Sequence, residues 1–221
     1  RTATPVTWAL AALPIVLAQT FELLTQNFDM IAVSYFMGAD ATGIYFAALK
    51  TIALLAFVNF AVGAATANRV VSLHAAGRTA EFEAHIQGAV NLAFWPTVFG
   101  AIALVLLWPL LLSLFGKDFT SHAYLTGILA VGFVAKGLIG SGRALPQRAG
   151  QQRPCALILT GAGILNIVLN VLLIPVLGLA GAAIATSASF VALALSVYFV
   201  ARRLGVSMFP TVPWSTLARL F

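Results

Sequence analysis

Charge is what this sequence has least of. Of its 221 residues, twelve are basic and six acidic. A soluble domain carries about 25% charged residues, and the 8% found here cannot clothe a water-exposed surface. Cysteine is nearly absent: Cys155 is alone, which excludes an internal disulfide. The three histidines, His74, His85 and His122, fall at span ends or in connections and give no metal-ligand spacing. Catalytic signatures are missing too. The chain has no glycine-rich phosphate loop and no nucleophile elbow, and both absences argue against a soluble-type enzyme. No cofactor is expected. Strand-like alternation of polar and apolar residues is also missing, which argues against a β-barrel.

What fills the chain is apolar. Hydrophobic residues make up 61% of it, and the mean hydropathy is +1.01. A bilayer core needs roughly 20 apolar residues per helix. Six such spans are predicted, at about 8–36, 44–68, 87–115, 122–145, 155–177 and 179–201. The fold class is therefore all-α, a polytopic membrane protein. Pro14 offers a bend in the first span and Pro96 a kink in the third. Short turns separate spans one and two (Gly38 to Gly43), three and four (Gly116 to Ser121), and five and six (Gly178 to Gly181).

The basic residues orient the bundle. Arg1, Arg69, Arg78, Arg143, Arg148, Arg153, Arg202, Arg203 and Arg219 fall on one side of this alternation, and only Lys117 falls in a loop on the other. Positive charge accumulates on the cytoplasmic side, so both termini are expected in the cytoplasm and the short turns outside it. Residues 1–204 form the transmembrane lobe. Residues 205–221, with Trp214, are expected to be an interfacial cytoplasmic tail. Residues 72–85 read as a short amphipathic cytoplasmic helix or a solvated connector.

Charges at membrane depth are costly and usually face a protein interior or a wet cavity. Gln19, Glu22, Gln26 and Asp29 are spaced 3, 4 and 3 along the first span, which makes one helical stripe. It lines a cavity or a hydrogen-bonded seam between helices. Asp29 lies 11 residues before Asp40 and Lys50 lies 10 after it. At 1.5 Å per residue both sit about 15 Å below the outer surface, on adjacent antiparallel spans. They are expected to pair or to couple electrostatically, as a structural ion pair or as a charge site that exchanges partners. Lys136, with Arg143 seven residues on, either snorkels to the headgroups or adds a cationic lining that attracts a phosphate. Asn166 and Asn170, four apart on the fifth span, are expected to bond between helices.

Three stretches carry a resemblance. NFDMIAVSYFMGADATGIYFAALK (27–50), LSLFGKDF (112–119) and NIVLNVLLIPVLGLAGAAIATSAS (166–189) resemble, in order and spacing, segments of the bacterial polysaccharide-export or oligosaccharide-flippase family. That family belongs to the multidrug/oligosaccharidyl-lipid/polysaccharide exporter superfamily. The resemblance implies one six-helix lobe, the C-terminal one, of a two-lobe exporter of the inner membrane. Its second lobe is expected upstream in the same polypeptide or on a partner. The implied activity is flipping of a lipid-linked oligosaccharide, of the undecaprenyl-pyrophosphate type, for O-antigen or related polysaccharide assembly by alternating access. Asp29 and Lys50 match the family's charged hairpin positions. Asn170, Pro175, Gly178 and Gly181 match its last hairpin in structural roles, glycine for the turn and proline to end a helix. Three other readings compete. They are a multidrug or cation antiporter of the same superfamily, a membrane-embedded polysaccharide-assembly enzyme (disfavoured by the short outer loops), and a membrane scaffold.

Overall fold

A computed structural model describes residues 27–113, 122–139 and 152–203. Five helices account for nearly all of them: α1 (Phe28–Ala75), α2 (Thr79–Ser113), α3 (Tyr124–Ile139), α4 (Gln152–Leu177) and α5 (Leu179–Arg203). Among the described residues there is no strand. Four helices are long and apolar enough to cross a membrane, and α3 is a shorter apolar helix. The protein is an all-helical, multi-pass membrane protein.

α1 is two rods, not one. Gly38 breaks its helical backbone with φ 86° and ψ −175°, a conformation that glycine alone adopts readily. The Tyr45 hydroxyl reaches the Asp29 carboxylate at 2.9 Å. Sixteen residues of straight helix would separate those positions by about 24 Å, so the chain must fold back at Gly38. The result is a short limb (28–37) and a long limb (39–75). Counting both limbs, the described chain supplies six helical rods, as the hydropathy predicts. Most of the first predicted span, including Gln19, Glu22 and Gln26, lies outside the described residues, as does the tail 205–221.

Two further turns use glycine. At Gly77 (φ 65°) the Arg78 amide bonds back to the Leu73 carbonyl at 3.2 Å, the six-to-one bond of a Schellman cap. This corrects the reading of residues 72–85 as a separate short helix. They are the facing ends of α1 and α2, which need only three residues to reverse. At Gly178 (φ 59°) the amide bonds the Ile174 carbonyl at 2.8 Å, an αL cap. Pro175 does not end α4, which continues to Leu177. The stop belongs to Gly178. Gly181 then sits so close to the Leu173 carbonyl that a methyl group would collide with backbone. α2 likewise runs unbroken through Pro96, as membrane helices can when neighbours compensate the lost donor.

α5 is the centre of the bundle. It packs against α4, α3 and α1, and 44% of its apolar window is buried, against 11% for α4. Small residues explain this, because without a hydrophobic drive between helices, backbones in lipid associate by close approach. A Cβ on Gly132 of α3 would fall 2.6 Å from the Ser187 Cα, and the Ser187 hydroxyl donates to the Ile128 carbonyl at 2.7 Å. The main core joins Val33, Tyr45, Ile52, Trp108, Leu129 and Ile174. A second cluster joins Ile86, Val90, Leu193 and Val197, farther from the Gly38 and Gly178 turns. Large apolar side chains such as Phe57, Phe60, Leu106 and Leu172 are exposed, which suits a lipid solvent.

Candidate functional site

The site forms where three rods meet. Asp29 stands in the first turn of the short limb, and its Oδ1 accepts the Met30 amide at 2.9 Å. Its Oδ2 accepts the Tyr45 hydroxyl from the long limb at 2.9 Å and the Thr186 hydroxyl from α5 at 3.3 Å. Tyr45 and Thr186 oxygens are themselves 3.2 Å apart. The three side chains close a triangle, and all are buried: Asp29 is 3% exposed, Tyr45 0% and Thr186 4%. A carboxylate in such a place is held by charge-assisted hydrogen bonds, here from neutral hydroxyls.

Register brings them to one level. Asp29 lies nine residues before Gly38 and Tyr45 seven after it; Thr186 lies eight after Gly178 and Asn170 eight before it. The two turns meet, since the Met37 Cε lies 3.2 Å from where a Gly178 Cβ would be. All four residues therefore sit about 11 to 14 Å below the turns. Asn170 is fully buried. Its Nδ2 donates to the Asn166 carbonyl at 2.9 Å and to the Asn166 Oδ1 at 3.1 Å, while its Oδ1 accepts no bond. The expected bonds between helices are thus made within α4, because four-residue spacing stacks the two amides. One buried amide oxygen is left open at the level of the carboxylate.

The expected Asp29–Lys50 ion pair is not formed. Lys50 is exposed, with its Nζ 5.3 Å from the Phe46 ring centroid. Lys50 is five residues on from Tyr45, about 140° past one full turn, so it leaves the face that Tyr45 presents to Asp29. An ion pair is formed instead by Arg78 and Glu81, at 3.3 Å on the surface. Lys136 is half-buried. Its ammonium sits 4.4 Å from the Phe190 ring centroid and 5.5 Å from that of Phe133, and the two rings meet edge to face at 5.4 Å.

Tyr45 and Thr186 were not singled out from the sequence. Both lie inside the stretches that carry the resemblance, GIYFAA and AAIATSAS. The missing signal was register: each lies within two residues of Asp29's distance from its glycine turn. A search of the curated proteins returns no match. The MatE family profile matches residues 14–172. This chain belongs to the MatE family. Members of that family, within the multidrug/oligosaccharidyl-lipid/polysaccharide exporter superfamily, are membrane transporters and not enzymes. The matched MatE segment takes in Asp29, Tyr45, Lys50, Lys136 and Asn170, and Thr186 lies beyond it.

Proposed function

We propose that this MatE protein flips a lipid-linked oligosaccharide of the undecaprenyl-pyrophosphate type across the inner membrane, driven by a proton or small cation exchanged at Asp29. The observation that carries the coupling is the Asp29 triangle. It is a buried carboxylate whose side-chain partners among the described residues are hydroxyls, with the open Asn170 oxygen at its level. Nothing in that triangle neutralises the charge permanently, so a mobile cation has a reason to enter, and hard oxygen donors are what a proton or light cation prefers. Asp29 belongs to one hairpin and Thr186 to the other. Occupancy therefore biases how the two hairpins pack, which is how a bound ligand shifts a two-state equilibrium.

The substrate reading rests on the three resembling stretches and on cationic residues at membrane depth, which suit a pyrophosphate. In this reading the chain is one lobe working with a second across a central cavity, with its termini cytoplasmic. Rocking of paired repeats about a midplane site is the established pattern for such machines.

A second reading, a small-molecule or drug/cation antiporter, is favoured by the same carboxylate. One assay separates them. The full-length protein, reconstituted in proteoliposomes, is given a fluorescent undecaprenyl-pyrophosphate oligosaccharide and, separately, a cationic dye. Flipping of the lipid with no dye export is the expected result. Dye export with no lipid flipping would replace the first reading by the second.

A further inference from the structure

The two turns above the Asp29 site are joined by a thioether. Met37 ends the short limb, and Gly178 stands between α4 and α5. Gly178 has φ 59°, so the turn favours glycine and leaves a gap where a side chain would stand. Met37 fills that gap: its Cε lies 3.2 Å and its Sδ 3.6 Å from the Gly178 Cβ position. The side chain is nevertheless 41% exposed. It lies at the end of the bundle that the basic residues predict to be outside the cytoplasm. Eight residues away on the same limb, about 12 Å along it, Asp29 accepts the Thr186 hydroxyl at 3.3 Å. The short limb is thus pinned to the α4–α5 hairpin by an apolar contact at the turn and by a polar one at the carboxylate. A helical rod carries a displacement at one end to the other.

We infer that Met37 is an oxidation-sensitive latch: hypohalous acids convert it to the sulfoxide, which parts the Gly38 and Gly178 turns and loosens the Asp29 site. In that reaction the sulfur gives up two electrons and gains the oxygen of hypochlorous acid, and chloride and a proton are released. A thioether suits an irregular apolar gap because it is unbranched and polarisable. Its sulfoxide is polar and must be hydrated or hydrogen-bonded, so water enters between the turns. The Gly178 amide cannot serve the new oxygen, since it already bonds the Ile174 carbonyl at 2.8 Å. Met30, the other methionine of the limb, is half-buried against the main core and stands one to two helical turns farther from the oxidant's entry. Methionine sulfoxide reductases reverse the change, so the latch can be reset.

Hydrogen exchange of the full-length protein in phosphatidylcholine nanodiscs, with and without hypochlorous acid, tests this. Peptide mass mapping should find an added oxygen on Met37 ahead of Met30. The amides of residues 32–37 and 183–190 should then exchange about fivefold faster or more, the factor that a lost contact of this size carries. Treatment with methionine sulfoxide reductases of both epimer specificities should restore the original rate. Met37→Leu should match the untreated wild type and stay unchanged by the oxidant. Met37→Gln, an uncharged polar stand-in for the sulfoxide, should exchange at the fast rate with no oxidant present. Faster exchange in oxidised Met37→Leu, or the slow rate in Met37→Gln, overturns the latch, and so does a Met37 oxidised no faster than Met30. Acceleration confined to residues 32–37 overturns the link to the Asp29 site. Exchange is read without substrate, so this result and the exporter reading stand or fall separately.

Discussion

At the scale of single residues, the account turns on which partners Asp29 keeps. Tyr45 is wholly buried and spends its hydroxyl on the carboxylate; Lys50 is exposed and spends its charge on Phe46. Removing the Tyr45 hydroxyl should therefore cost more than removing the Lys50 charge. Hydrogen bonds inside membrane proteins are worth about 0.6 to 2 kcal/mol, so Tyr45→Phe should lose about 1 kcal/mol. Lys50→Met should stay within about 0.5 kcal/mol, as surface substitutions do. Unfolding in mixed micelles by a denaturing detergent measures both. The reverse order would restore the ion pair between Asp29 and Lys50. Distance from the turn was legible in the sequence, since it follows from counting residues at 1.5 Å each, nine from Asp29 to Gly38. Sequence reasoning chose the wrong partner because charge was weighed ahead of rotational position, and the position of Tyr45 is visible only once the fold-back at Gly38 is known.

At the scale of the helix, small residues decide the architecture. Gly181 stands against the Leu173 carbonyl, and Gly132 against the Ser187 backbone. In neither case can the obstructing atom swing aside as a side-chain tip would. Gly181→Ala should separate α4 from α5 and destabilise by about 1 to 3 kcal/mol, the usual cost of overpacking. Gly161→Ala, on α4 with open space around it, should be neutral or slightly stabilising, because alanine favours the helix. Thermal unfolding of the two variants side by side checks this, and equal midpoints would contradict it. Helix number and turn positions were legible from hydropathy and from Gly38 and Gly178. The extent of α1 and α2 was not. Residues 72–85 are polar, and polarity reads as a connector, whereas a helix that leaves the bilayer keeps its backbone bonds whatever its side chains. The role of Pro175 was misjudged for a similar reason: proline lacks only its own donor, and α4 needed one more turn to reach the glycine that could cap it.

At the scale of the molecule, the short limb, the long limb and α3 are tied to α5 at two polar sites. Asp29 ties the short limb to the long limb and α5, and Lys136 ties α3 to α5 through aromatic faces. Both sites meet on α5, the most buried span, so a change at either one moves the element against which the others pack. An exporter needs such an element, since coupling requires that ion and substrate favour the same arrangement. The central claim is that Asp29 is where the driving ion acts. The direct test is flipping of a fluorescent undecaprenyl-pyrophosphate oligosaccharide by the full-length protein in proteoliposomes, with and without an imposed proton or sodium gradient. One of the two gradients should accelerate the wild-type protein several-fold, and Asp29→Asn should flip at one slow rate whether or not that gradient is present. An Asp29→Asn protein that answers the gradient as the wild type does would contradict the account.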